Sequence, residues 1–275
     1  MSSCARPHLR FLNGIPFCRV LFFWGWVAVT GVALGQSPID RSKWLSMAPG
    51  EYVRLIQAGN VSIQASDALL LQKDKVGATE FKLQIGYRYT YTIVEVEEQE
   101  GTQLARIRVM YQRPKFRITH VIHVESDFSP PDPWSSRLIK HEMDHLAVST
   151  DPRVRAIVDG VLGATTSYEF RWEQSAAPTD KQIREEINRS SVERIADIEK
   201  IIQLAYDQLD DRSVQGNRNI DSRGEFFQNL YTGRWLQEAN LKTFRTYAAG
   251  ELETWGNSIP VSKLEMHYRE SWQER

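Results

Sequence analysis

The chain has almost no cysteine: among its 275 residues only Cys4 and Cys18 are cysteines, and both lie near the N-terminus. Without that segment the chain can form no disulfide, and no thiolate remains to act as a nucleophile or a metal ligand. An excess of one charge is also missing, because 34 Lys and Arg residues balance 35 Asp and Glu residues. No global basic field therefore argues for nucleic-acid binding.

Acidic residues are missing from the first 19 positions, where Arg6, Arg10 and Arg19 occur. An apolar run follows from Val20 to Leu34, and it is shorter than the ~20 residues that a membrane-spanning helix needs. A basic start, an apolar run and small residues at Ala33 and Gly35 predict a signal peptide over residues 1–35. We expect a secreted or periplasmic protein of the cell envelope. The alternative is that the segment is not cleaved and anchors the protein in the membrane, as the only part of the chain expected to contact it.

The rest of the chain, residues 36–275, is predicted to form a single α+β domain. Alternating aromatic and β-branched residues indicate strands, and residues 97–102 form the turn of a hairpin. The predicted strands cover residues 81–85, 87–94, 104–111 and 116–124. The sequence leaves the structure of residues 36–60 open, and we expect residues 36–128 as a whole to be mainly strands.

Three prolines between Ser129 and Trp134 end the strand region, because proline cannot donate a backbone hydrogen bond. After them residues 129–275 are predicted to be mainly helical. Apolar residues recur at three- and four-residue spacing over 180–210, which predicts a long amphipathic helix. The expected fold class is α+β, with a small antiparallel sheet followed by a helical C-terminal half.

The strongest chemical signal is the pentad His141-Glu142-Met143-Asp144-His145 at the start of that helical half. Residues four apart on a helix lie ~5–6 Å from one another between Cβ atoms, so His141 and His145 can bind one metal ion. Glu142 lies beside them, where it can reach the water that the metal activates. This H-E-x-x-H pattern is typical of zinc metalloproteases. It predicts a zincin-like helix on which His141 and His145 bind Zn²⁺ and Glu142 is the general base.

A plainer interpretation makes the pentad the solvated polar face of an amphipathic helix, as Lys140 and Asp144 would fit. Asp144 also departs from the usual pattern, in which the two variable positions are uncharged. The function predicted from the pentad is an exported zinc-dependent metallopeptidase that cleaves peptide or protein substrates. The alternative is a non-catalytic envelope protein, or an inactive protease relative, that binds a partner through its aromatic-rich C-terminal half.

The third ligand of a catalytic zinc ion is left open by the sequence. Asp151 has suitable spacing from the pentad, but Pro152 after it favours a helix N-cap instead. The other candidates are carboxylates of the predicted long helix and its end: Glu185, Glu186, Glu193, Asp207, Asp210 and Asp211.

His120 and His123 lie on the strand before the pentad at odd separation, so at most one of them could approach the metal. A strand histidine of this kind is more often a packing or supporting residue. The strand from Thr119 to Val124 could also hold an extended substrate peptide by strand addition. His267, near the C-terminus, has no predicted role.

Several short motifs, spread from Tyr87 to Gly216, resemble those of one protein family. They are Tyr-Thr-Tyr-Thr (89–92), a Pro-x-x-Trp-like turn (131–134), Leu-Ile-Lys-His-Glu-Met-Asp-His (138–145), Ala-Tyr-Asp (205–207) and Gln-Gly (215–216). The family comprises predicted secreted zinc-dependent proteases of bacteria, a domain of unknown function of the DUF922 type. The resemblance implies a secreted zinc protease.

One part of the family pattern is absent. The family has a Thr-x-His-Gly element between its Tyr-Asp and Gln-Gly motifs, whereas this chain has Asp210-Asp211-Arg212-Ser213. If that histidine is the family's third ligand, this chain either uses an acidic substitute from Asp207, Asp210 or Asp211, or is an inactive relative.

Overall fold

The computed structural model describes residues 41–99, 102–163, 165–172 and 178–272. The predicted signal peptide and its cleavage point lie outside these residues. No helix in the described ranges combines the length and the apolar composition that crossing a membrane requires. The described chain is α+β, with strands before the pentad and mostly helices after it.

Within the described residues, six strands form two three-stranded sheets. The strands are β1 (Val61–Ala65), β2 (Gly77–Gly86), β3 (Tyr89–Gln99), β4 (Thr102–Tyr111), β5 (Lys115–Val124) and β6 (Thr165–Trp172). The first sheet has the order β1-β5-β2, in which β1 is parallel and β2 antiparallel to β5. The second sheet, β3-β4-β6, is antiparallel, and its β3–β4 hairpin confirms the predicted one. The expected small antiparallel sheet is thus confirmed in part. A second sheet, which contains one parallel pair, is present as well, because alternation marks a strand but not its partner or direction.

Eleven helices lie in the described residues. They are α1 (Ser42–Ser46), α2 (Gly50–Gly59), α3 (Asp67–Lys73), α4 (Arg137–Ser149), α5 (Pro152–Gly163), α6 (Asp180–Ser213), α7 (Arg223–Asn229), α8 (Gly233–Glu238), α9 (Lys242–Arg245), α10 (Ala249–Asn257) and α11 (Val261–Trp272). A 3₁₀ turn at Pro133–Ser135 precedes α4, and the carboxylate of Asp132 accepts a hydrogen bond from its Trp134 N–H. The predicted proline break and the predicted long helix are both confirmed.

Two element predictions are wrong. Helix α3 interrupts the region that was expected to be strands, because a seven-residue helix is too short for a clear apolar period. Strand β6 interrupts the region that was expected to be helical, and it pairs with β4 over residues 165–172. Its sequence, Thr-Thr-Ser-Tyr-Glu-Phe-Arg-Trp, is rich in strand-forming residues between two helical stretches.

The pentad helix α4 packs on one face of the first sheet. Gly77 of β2 has no side chain, and a Cβ built there would lie 2.5 Å from the Leu138 side chain of α4. His120 of β5 faces the same helix, and its Nε2 lies 2.6 Å from the Ser149 hydroxyl. A hydrophobic cluster that includes Ile122, Leu146 and Ile202 joins the sheet to α4 and α6. The sheet and α6 therefore enclose α4 from two sides.

Helix α6 begins at a capping box. The Thr179 hydroxyl accepts a hydrogen bond from the Gln182 N–H, and the Gln182 side chain accepts one from the Thr179 N–H. Near this end Tyr111 of β4 is hydrogen-bonded to Ser191, at 2.8 Å between their hydroxyl oxygens. The far end of α6 reaches α4, so one helix connects the second sheet with the pentad.

Candidate metal centre

The pentad side chains are buried. The exposed fraction is 7% for His141, 1% for Glu142, 5% for Asp144 and 4% for His145. A solvated polar face would leave these side chains in water, so the plainer interpretation of the pentad is wrong. Buried polar groups need partners, and the neighbours of these four side chains define the site.

The two histidines converge with a carboxylate of α6. Oδ1 of Asp210 lies 3.0 Å from Nε2 of His141 and 2.9 Å from Nε2 of His145, and the two Nε2 atoms are 3.2 Å apart. His141, His145 and Asp210 form a group that could hold a metal ion. Asp210 is one of the candidates that the sequence left open.

The donor set fits a small divalent cation such as zinc. Imidazole nitrogens and carboxylate oxygens bind Zn²⁺ at ~2.0–2.2 Å, which in a tetrahedral arrangement separates two donor atoms by ~3.3 Å. The observed separations of 2.9 to 3.2 Å are close to that value. Three protein donors also leave one position of a tetrahedral site for water, as in catalytic zinc sites.

The neighbours in the cluster favour the charged forms of Asp210 and His141. Burial by itself would raise the pKa of Asp210, but hydrogen bonds from His141, His145 and Lys75 outweigh it and hold that pKa well below its usual range. Burial lowers the pKa of His141, whereas the bond to Asp210 and the nearby carboxylates of Glu142 and Asp144 raise it, and the net change is upward. Protons and cations therefore compete for this imidazole, as at any histidine metal site.

Glu142 points toward strand β2. Its Oε2 accepts a hydrogen bond of 2.8 Å from the Thr79 hydroxyl. A Cβ on Gly77 would lie 2.9 Å from Oε1 of Glu142, so glycine leaves the room that this carboxylate occupies. No signal in the sequence marked Gly77 or Thr79, both of which precede the strand predicted over residues 81–85.

The other predicted candidates lie elsewhere. Asp151 is the N-cap of α5, where its carboxylate accepts from the Arg153 N–H at 2.7 Å and pairs with the Arg153 guanidinium at 2.6 Å. The N-cap prediction is thus confirmed. Glu185 and Glu186 lie about 36 Å or more along α6 from Asp210, at 1.5 Å per residue. The remaining carboxylates of α6 have other neighbours: Glu193 pairs with Lys242, Asp207 accepts from Gln203, and Asp211 is exposed.

The three other histidines of the described residues support the fold around the site. His120 bridges the Gly59 carbonyl and the Ser149 hydroxyl, and burial lowers its pKa to about 4. His123 lies near Ser66 and Glu80. His267 donates to the Ala147 carbonyl at 2.8 Å. Neither strand histidine belongs to the cluster, in agreement with the prediction that these are supporting residues.

Asp144 pairs with Arg223 at the start of α7, which explains a charged residue inside the pentad. The guanidinium of Arg223 also lies over the Phe227 ring, at 5.3 Å from its centroid. This contact ties the pentad helix to the chain that follows α6.

The chain reverses direction at the end of α6, four to six residues after Asp210. Val214, Gln215 and Gly216 have φ values of 50°, 54° and 79°, and the Gln215 N–H donates to the Asp210 carbonyl at 2.7 Å. The reversal brings the Gly216 backbone onto the His141 ring, where a Cβ would lie 2.8 Å from Cγ. The Gln-Gly motif of the sequence therefore lies against a candidate ligand.

Strand β5 is the central strand of its sheet, since β1 and β2 pair with its two edges over residues 120–124. The prediction that residues 119–124 hold a substrate by strand addition is therefore wrong. The sequence could not show this, because alternation of residue types does not say which strands pair with the two edges of β5. Strand β2 lies at the end of the described sheet instead.

Comparison of the chain with protein-family models, curated proteins and solved structures gave no match.

Proposed function

We propose that the protein is an exported zinc-dependent metallopeptidase in which His141, His145 and Asp210 hold the zinc ion. The observation that carries the proposal is the convergence of two Nε2 atoms and one carboxylate oxygen within 3.2 Å of one another. The three residues come from two helices and are largely buried, so the fold holds the donors in place. A bound zinc ion supplies Lewis-acid polarisation of a carbonyl group and a water molecule of lowered pKa.

Glu142 is the general base of this proposal. Its position next to His141 places a carboxylate beside the ligand pair, and Thr79 occupies one of its oxygens. The carboxylate takes a proton from the attacking water and delivers it to the leaving amine. The Thr79 hydroxyl gives this carboxylate a hydrogen-bond partner at a position that is almost fully buried.

Strand β2 is the proposed binding edge for the substrate peptide. Its edge away from β5 has no partner strand among the described residues. An extended peptide that pairs with that edge would pass the strand residues Gly77 and Thr79, both of which touch Glu142. Main-chain pairing of this kind binds peptides with little dependence on sequence.

The proposal extends to membership of the DUF922-type family. Asp210 lies between the Tyr206-Asp207 and Gln215-Gly216 motifs, where the family has its histidine element. An acidic substitute for that histidine completes a ligand set of two imidazoles and one carboxylate. Export, from the signal-like segment at residues 1–35, belongs to the same proposal.

The test combines metal content and peptidase activity of the purified protein. We expect about one zinc ion per wild-type chain, and little in His145→Ala. Glu142→Gln should keep the zinc and lose cleavage of a denatured protein substrate, whereas Glu185→Gln, on an exposed part of α6, should keep both. Equal metal content in wild type and His145→Ala would refute the metal site.

The same experiment addresses the alternative of a partner-binding protein. The aromatic residues on which that alternative depends are largely buried in the fold, including Phe226, Phe227 and Phe244. A wild-type protein that binds zinc but cleaves no peptide, with no change on Glu142→Gln, would favour an inactive relative.

A further inference from the structure

The turn between α3 and β2 reaches the metal centre. Lys75 in this turn places its Nζ 2.6 Å from Oδ2 of Asp210, while Oδ1 of the same carboxylate faces the two histidines. The two oxygens of Asp210 therefore have different partners. The side chains of Lys75 and Asp210 are 29% and 16% exposed, so the pair is largely shielded from water.

The turn holds Lys75 in this position. The Lys75 N–H donates to the Leu70 carbonyl at 3.0 Å, and Asp74 before it has a positive φ of 53° that reverses the chain. Gly77 and Thr79, which follow closely, contact Glu142. One short segment thus touches the proposed base and the proposed third ligand.

His145 receives less support from outside the cluster. Nδ1 of His145 is buried and has no hydrogen-bond partner in the described part of the chain. Metal-binding histidines usually donate through this second nitrogen, and that bond orients the ring. No such hydrogen bond orients the His145 ring among the described residues, whereas Asp210 is held from outside the cluster by Lys75.

From this geometry, and resting on the zinc site proposed above, we propose that Lys75 is a positioning residue that restricts Asp210 to ligation through one oxygen. A carboxylate with two free oxygens can bind a metal ion through both. With Oδ2 engaged by the ammonium group, only Oδ1 is left for the ion. One coordination position then stays available for water and substrate, as a catalytic zinc site requires.

The experiment uses the full protein loaded with Co²⁺ in place of zinc, because the visible absorption of cobalt reports its coordination number. Four-coordinate cobalt absorbs more strongly than five- or six-coordinate cobalt. Lys75→Met keeps the aliphatic stem and removes the charge, so Asp210 should ligate through both oxygens and the absorption should fall by about twofold or more. Zinc should stay bound, because all three donors remain.

Three further variants separate positioning from a general structural effect. Lys75→Arg keeps a cationic donor and should restore the wild-type spectrum. Lys73→Met removes a lysine of the same segment that pairs with Glu80 instead, and it should leave the spectrum unchanged. Lys75→Met combined with Asp210→Asn should have the spectrum of Asp210→Asn alone, since Lys75 acts through Asp210.

A Lys75→Met spectrum equal to that of wild type would overturn the inference, and so would an equal loss of absorption in Lys73→Met. A wild-type protein that binds neither zinc nor cobalt refutes the metal site itself. The two failures are therefore distinguishable.

Discussion

The hydroxyl of Thr79 donates a 2.8 Å hydrogen bond to Oε2 of Glu142, which ties the edge strand of the first sheet to the proposed general base. Glu142 is only 1% exposed, so water cannot replace this donor. Thr79→Val removes the hydroxyl and keeps the shape of the side chain. We expect peptidase activity to fall about tenfold or more with zinc content unchanged, as for other supporting residues of metal sites. Thr79→Ser should retain most of the activity; a fully active Thr79→Val would exclude this role.

Zinc binding should depend on Asp210 and not on its acidic neighbours in α6. Asp210→Asn removes a charged donor from the cluster and should weaken zinc binding about tenfold or more, measured by competition with a chromophoric chelator. Asp207→Asn and Asp211→Asn change exposed carboxylates of the same helix and should bind zinc like wild type. Weaker binding in either control variant would place the third ligand elsewhere.

Site residues that lie close together in the sequence could be predicted, whereas those far apart could not. His141, Glu142 and His145 lie on one helical turn, so their spacing is a local property that the sequence states directly. Asp210 comes 65 residues after His145, and several carboxylates of α6 satisfy the same pattern equally well. Only the packing of α6 on α4 selects among them.

Lys75, Gly77 and Thr79 had no recognisable signal, because their role depends on the pairing of β2 with β5. A lysine in a turn and a glycine at the start of a strand are common in proteins, so neither residue type indicates a functional role by itself. The strands themselves were predictable from alternation, whereas the parallel partner β1 and the late strand β6 depend on contacts between distant segments.

Only glycine fits at position 216, beside the His141 ring. Alanine at this position would adopt an unfavourable positive φ of 79° and place its Cβ 2.8 Å from Cγ of His141. Gly216→Ala should lower the free energy of unfolding by about 2 kcal/mol, measured by urea denaturation, and reduce zinc content because the His141 ring must move. Gly224→Ala is the matched control, since nothing lies within 4 Å of its Cβ position in α7. It should leave zinc content unchanged and not destabilise the fold.

The pair Asp144–Arg223 allows a double-mutant cycle. Asp144→Asn leaves the guanidinium without its carboxylate and should lower the free energy of unfolding by about 2–3 kcal/mol, because Asp144 is buried while Arg223 keeps 21% exposure. The double variant with Arg223→Met should lose about 1 kcal/mol less than the sum of the two single changes. Additive losses would show that the pair contributes nothing as a pair. Arg234→Met, in the exposed pair with Glu238, should have no measurable effect.

The pH dependence of stability should reflect His120. Burial lowers its folded-state pKa to about 4, whereas the unfolded chain has a value near 6.5. As the pH falls from 6.5 toward 4, the unfolded chain takes up a proton that the folded protein does not, so stability is lost across this window. The loss reaches about 3 kcal/mol at pH 4.

His120→Gln removes this titration and should flatten the dependence of the urea midpoint between pH 6.5 and 4. A slope will remain, because burial also lowers the pKa of His123 and His267. Identical slopes in wild type and His120→Gln would contradict the assignment.

Helix α6 is 34 residues long, about 51 Å at 1.5 Å per residue. It contacts the second sheet near Ser191 and presents Asp210 to the pentad some five turns later. A single inserted or deleted residue between these points would rotate Asp210 by about 100° around the helix axis and turn its carboxylate away from both histidines. The number of residues between these two contacts therefore fixes the direction in which Asp210 points. Insertions or deletions of three or four residues nearly preserve the direction of Asp210. With a change of one or two residues, the sheets could still fold, but Asp210 would no longer face the two histidines.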